Sequence, residues 1–172
     1  MKTFKKTILV LIAVVAVSLT SCKKDDDGGG GGDAASGTLK AKVDGSSYTS
    51  EPSLTMAVQT NSGGTSSLFI TANTMNGRNI TLSINGGFEG VGTYEIGGGA
   101  NIFVNATYVE VDASNPTDAQ TWSAPFDDTV AGEISISEIS DTSVKGTFNF
   151  KGKNSDGSFK NITEGSFNVN FQ

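Results

Sequence analysis

Beyond residue 37 the chain alternates: apolar and polar residues exchange places with a period of two, in short runs separated by Gly, Asn, Asp and Ser. A strand points successive side chains to opposite faces, so the alternation predicts half-buried antiparallel strands, and no stretch sustains a helical period. The first predicted strand is 38–43, with Leu39, Ala41 and Val43 on one face. Asp44-Gly45 then supplies the positive φ of a tight turn, and 46–50 returns carrying Tyr48. Pro52 permits only an edge or a break. The run 53–60 is expected to turn Leu54, Met56 and Val58 inward, and 67–74 to align Leu68, Ile70 and Ala72. After an Asn76-Gly77 hairpin turn, 79–85 presents Ile80, Leu82 and Ile84.

A short strand follows at 93–96, and then the longest predicted strand at 100–112. Ile102, Val104, Ala106 and Tyr108 line one of its faces, and Phe103, Val109 and Val111 the other, which predicts a central position. Residues 113–129 read as the longest irregular segment, holding Pro116, Pro125, Trp122 and the acids Asp118, Asp127 and Asp128. Segments of that length are functional or disordered. A three-stranded meander closes the chain: 130–139 (Val130, Ile134, Ile136), 143–151 (Val144, Phe148, Phe150) and 159–171 (Phe167, Val169, Phe171), with a bulge expected at Gly165. About nine strands with frequent turn signals define an all-β domain, either an antiparallel β-sandwich or a flattened barrel.

The first 21 residues break this pattern. Lys2, Lys5 and Lys6 precede an unbroken apolar run from Ile8 to Val17 and a small polar end, the layout of a secretory signal peptide. As a helix the run would be about 15 Å long, half of a ~30 Å bilayer core, so it is too short for a permanent span. Leu19-Thr20-Ser21-Cys22 resembles a bacterial lipobox. The resemblance implies a diacylglycerol on the sulfur of Cys22, cleavage just before it and acylation of the new amino group. Two or three acyl chains give stable anchoring where one gives only marginal binding. The alternative is a secreted protein with an incidental thiol.

Lys23-Lys24-Asp25-Asp26-Asp27 and five consecutive glycines come next. The acidic cluster is similar to the export signal that takes lipoproteins of Bacteroidota to the outer face of the outer membrane; the alternative is a solvated linker. A chain of this composition has too little apolar surface to offset its ordering entropy, so 22–37 is expected to be a tether of roughly 20 Å reach. The organisation is then 1–21 leader, 22–37 lipidated Cys22 and tether, 38–172 one all-β domain.

Three further motifs carry a family resemblance: Leu39-Lys40-Ala41-Lys42-Val43-Asp44-Gly45, the Gly92-Thr93-Tyr94 step, and Val144-Lys145-Gly146-Thr147-Phe148-Asn149-Phe150 with Thr163-Glu164-Gly165-Ser166-Phe167. Together they resemble a family of small β-rich surface lipoproteins of Bacteroidota. The resemblance implies fold and location; its motifs are turn and core residues and bring no active site. Tyr48 stands where such proteins often have a Trp after the Asp-Gly turn.

Charge and composition narrow the function. The net charge is −6, and loss of the three leader lysines would take it toward −9, which argues against nucleic acid and anionic lipid surfaces. Histidine is absent and Cys22 is the single cysteine, so imidazole and thiolate sites, metal or catalytic, have no residues to build on. A two-carboxylate hydrolase would have to draw on Asp118, Asp127, Asp128, Glu133 and Glu138. Asp127-Asp128 supplies hard oxygens for calcium, but no spacing matches an EF-hand loop. No cofactor is expected. Trp122, with Tyr48, Tyr94 or Tyr108 as companion rings and Asp127 and Asp128 for hydrogen bonds, suggests a carbohydrate surface; alternatively Trp122 folds back to cap the core. Asp128-Thr129-Val130 resembles the O-glycosylation pattern of Bacteroidota, which would place a glycan on Thr129. The expectation is a non-catalytic binding or accessory module, lipid-anchored in the outer membrane and surface-exposed, with a polysaccharide or an envelope protein as partner. The alternative is a purely structural or protein–protein interaction module.

Overall fold

The computed structural model describes residues 33–99, 102–112 and 114–172. The leader, Cys22 and most of the predicted tether lie outside them. Folding begins before residue 38: Ala34 is buried, Gly37 N–H donates to Asn168 C=O at 2.7 Å, and Thr38 Oγ1 donates to Ala35 C=O at 2.7 Å.

Eleven strands form, rather than about nine: β1 (Thr38–Val43), β2 (Ser46–Thr49), β3 (Thr55–Ser62), β4 (Thr65–Asn73), β5 (Arg78–Ile84), β6 (Gly92–Gly97), β7 (Val104–Asp112), β8 (Asn115–Ser123), β9 (Val130–Ile139), β10 (Ser143–Lys153) and β11 (Phe159–Asn170). They are joined as one antiparallel sheet in the order β2-β1-β11-β10-β8-β7-β5-β4-β3, with β9 also pairing β10 and β6 pairing β9. The branch lies on β10. Its residues Val144–Phe150 pair with β9, and at Lys153 it meets Ser123 of β8. The sheet folds over there, so that Leu39, Ile162 and Phe167 of one arm share a core with Ile70, Ile80 and Leu82 of the other. The chain end just past β11 meets the edge strand β3 at one parallel bridge, Phe171 to Ala57, and the sheet does not close into a barrel.

The alternation works as expected along most strands. β10 buries Val144, Gly146, Phe148, Phe150 and Gly152 and exposes the residues between Gly146 and Gly152, the inside/outside sequence of a strand with one wet face. Asp44 and Gly45 both take positive φ, 47° and 82°, which matches the right-handed twist of the β1–β2 hairpin. The bulge falls where Gly165 marks it. Lys40 and Lys42 pair with Ser166 and Thr163, so β11 carries an extra residue, with Glu164 at φ 51°.

Three expectations change. β3 is inverted: Thr55 and Ala57 are buried while Leu54 is 40% exposed and Met56 and Val58 are half-buried. The inward residues of β4, Ile70 and Ala72, lie opposite Ala57 and Thr55, and the C-terminal main chain approaches Ala57, so small side chains take the inner positions. Ile102 and Phe103 precede β7 and are exposed, as is Val130 at the start of β9. Most importantly, 113–129 is not one irregular segment. Asn115–Ser123 is β8, laddered to β7 from Asp112–Asn115 to Thr107–Ser123. Its sequence has almost no apolar alternation; the pairing with β7 sets its conformation.

Candidate functional site

Across β5, β7 and β8 two rows of residues run side by side on the inner face. The deeper row is Ile80, Tyr108, Trp122; the next, one step nearer the end of the sheet, is Arg78, Glu110, Gln120. One step along the strands thus takes the face from core to charge, and this boundary defines the end of the core.

The aromatic row continues onto the other arm. Tyr108 lies 5.9 Å from Trp122 and meets Tyr48 edge-on at 6.3 Å, centroid to centroid. All three rings are buried, Trp122 at 6% exposure and Tyr48 and Tyr108 at 1% or less. Their polar ends are satisfied, as buried ring groups require. Tyr48 O–H donates to Ala72 C=O at 2.5 Å, Tyr108 O–H to Glu110 Oε1 at 2.6 Å and Trp122 Nε1–H to Ser158 Oγ at 3.0 Å. Burial raises the pKa of both Tyr48 and Tyr108, and donation to Glu110 adds to the effect at Tyr108. Both stay neutral phenols.

Two cations cover these rings. Lys160 Nζ sits 5.1 Å from the Trp122 ring, and Arg78 Cζ 5.3 Å from the Tyr48 ring. Lys160 also bridges Asp44 and Glu110, at 3.6 Å to each. Arg78 Nη1–H donates to Ser47 C=O at 3.3 Å, whereas its buried Nε has no hydrogen-bond partner among the described residues. Outside this layer a recess of about 380 Å³ is lined by Asn76, Arg78, Glu110, Val111, Asp112, Asp118 and Gln120. Asp118 accepts from Gln120 Nε2–H at 3.1 Å, and Asn154 Nδ2–H donates to Gln120 Oε1 at 3.1 Å. Asp112 accepts from the Ser114 hydroxyl and N–H, at 2.6 and 2.8 Å, which holds its carboxyl below the usual carboxylate range.

The structure therefore brings Tyr48 and Trp122 into one cluster, linked by Tyr108, but inside the core. Trp122 caps the core and does not present a ring on a surface loop. Asp127 and Thr129 are elsewhere, on the exposed connection to β9, where Thr129 N–H donates to Asp127 Oδ1 at 2.9 Å; Asp128, also exposed, joins neither group. Glu138 pairs with Lys145 at 2.9 Å. Among the described residues no three acidic side chains gather to hold a metal ion. The sequence reading passed over Arg78, Glu110, Gln120 and Lys160. The placement of Arg78 and Glu110 two residues beyond Ile80 and Tyr108 on the inward face was the available signal.

Fold and site together define an all-β, open antiparallel sandwich with a charged recess at the end of its core. The chain belongs to the family described as Domain of unknown function (DUF6252), whose model matches residues 35–169. No curated protein and no solved structure matches it.

Proposed function

We propose that this chain is a lipoprotein anchored through Cys22 in the outer membrane, and that its sandwich is a non-catalytic module that binds carbohydrate in the end recess. One observation carries the ligand reading: planar polar side chains, Arg78, Glu110, Asp118, Gln120 and Asn76, converge on a single recess at the end of the core. Such groups make paired hydrogen bonds to neighbouring hydroxyls.

The acids in the recess fit binding better than bond cleavage. Acid catalysis on a glycoside needs a carboxyl held protonated by its surroundings. Glu110 instead accepts from Tyr108 and faces Lys160, Asp112 is held as an anion by Ser114, and Asp118 accepts from Gln120. A glycan on Thr129 is compatible with its exposed position.

Titration of the full chain against a panel of neutral and acidic oligosaccharides tests the reading, with Asp118→Ala and Gln120→Ala as exposed-site variants that leave the core intact. Saturable binding weakened at least fivefold by either variant is expected. Absence of saturable binding, or equal affinity of parent and variants, removes it. Intact mass of the mature product tests the anchor: the expected species begins at Cys22 and carries acyl chains.

A further inference from the structure

The chain has more acids than bases, yet two lysines on the outer face of β10 stand without an acidic partner. Among the described residues, ion pairs engage Lys145 and Lys160, while Lys151 and Lys153 have none. Both instead lie over one exposed ring. Lys153 is the cross-strand partner of Phe159, and the two Nζ atoms are 4.4 Å (Lys151) and 5.8 Å (Lys153) from the ring centroid. Pro125, Val130 and Ala131, with Asp127 and Thr129, form the rest of a groove of about 230 Å³, with Phe159 45% and Val130 53% exposed. The one acid in its lining, Asp127, is engaged locally, accepting from the Thr129 main chain. Apolar floor and unpaired cations therefore coincide at one place, on a different face from the end recess.

We propose that this groove binds a small amphipathic anion, its carboxylate between Lys151 and Lys153 and its aryl or short acyl body against Phe159 and Val130. The head group follows from charge: an anion gains charge-assisted hydrogen bonds from two ammonium groups that have no protein carboxylate to surrender. The apolar body follows from Phe159, Val130, Pro125 and Ala131, which lose water on contact. The size follows from the groove. Ligand pockets run to roughly 300–1,000 Å³ and stable protein interfaces to about 800 Å² per partner, so this site suits a molecule of few heavy atoms.

The test uses three probes on the ¹⁵N-labelled full chain: 4-phenylbutyrate, octanoate and the uncharged 4-phenylbutan-1-ol. Saturable amide shifts are expected at Lys151, Lys153, Phe159 and Val130 with either acid, together with a shift of the Trp122 indole N–H, whose acceptor Ser158 adjoins Phe159 in the chain. Lys151→Ala/Lys153→Ala should weaken acid binding about tenfold, as expected for losing charge-assisted contacts at an exposed site. Tighter binding of phenylbutyrate than octanoate assigns an aryl body, and the reverse an acyl body. Equal affinity for acid and alcohol, an unchanged double variant that retains the parent spectrum elsewhere, or no saturable shift at these positions would overturn the proposal.

Discussion

Trp122 stands directly across from Tyr108 on neighbouring antiparallel strands, with ring centroids 5.9 Å apart and planes tilted by 31°. This pair closes one end of the core, and its removal leaves a hole rather than an exposed patch. Trp122→Ala should therefore lower unfolding free energy by about 3–5 kcal/mol. Chemical denaturation followed by circular dichroism measures this, and a loss under 1 kcal/mol would mean that the ring is not packed as described.

Gly152 lies where β10 meets β8, beside the Lys153–Ser123 pair. A Cβ there would sit 2.8 Å from Trp122 C=O and 2.9 Å from Trp122 Cβ, both close to the main chain. Gly152→Ala is expected to force the strands apart and cost about 1–3 kcal/mol, whereas Gly157→Ala, with open space around its turn, should show only the smaller cost of its positive φ. Thermal melts of the two variants side by side give the comparison.

Lys160 shields the face of Trp122 while remaining partly exposed, so its ion pairs with Asp44 and Glu110 are worth little. Lys160→Ala should change stability by less than about 1 kcal/mol and yet increase acrylamide quenching of tryptophan emission severalfold. Unaltered quenching would show that other groups protect the ring.

The pH dependence has a definite sign on the alkaline side. Tyr48 and Tyr108 have folded pKa values raised above their unfolded value near 10, so the native state holds protons that the unfolded chain releases. Their contribution is complete below pH 10 and is lost as pH climbs toward the folded values. Stability should fall steeply above pH 10, and the ultraviolet signature of ionised Tyr48 and Tyr108 should appear together with unfolding. On the acid side, Asp112 and Asp156 are lowered by hydrogen bonds from Ser114 and Ser158; their contribution is present above the ordinary carboxylate range and is lost as pH falls from it through the lowered folded values.

The fold was legible wherever one face is dry. Ile80, Leu82 and Ile84, or Val144, Phe148 and Phe150, announce their strands because burial on one side and water on the other impose a period of two. β8 gave no such sign. Its outer edge is largely unpaired, Ala119 and Gln120 are both exposed, and Trp122 is the only large apolar residue it contributes, so the pairing with β7 decides its conformation. β3 kept the alternation but with the opposite phase, because the choice of inner face was made by Ile70 and by the C-terminal chain rather than by its own larger residues.

The site was legible only in its aromatic half. Tyr48 and Trp122 were visible as rings, and the structure joins them through Tyr108. Arg78, Glu110, Gln120 and Lys160 come from four strands, and nothing local in the sequence of any one strand states that they meet.

The bond from Trp122 Nε1 to Ser158 Oγ ties the one indole of the chain to the residue preceding Phe159, while Lys160, paired with Glu110 of the recess, lies over the face of the same indole. A single native fluorophore is thereby wired to two separate surfaces. Occupancy at either one can be followed without a label, and the two are told apart by which lysine, Lys160 or Lys151, abolishes the optical response.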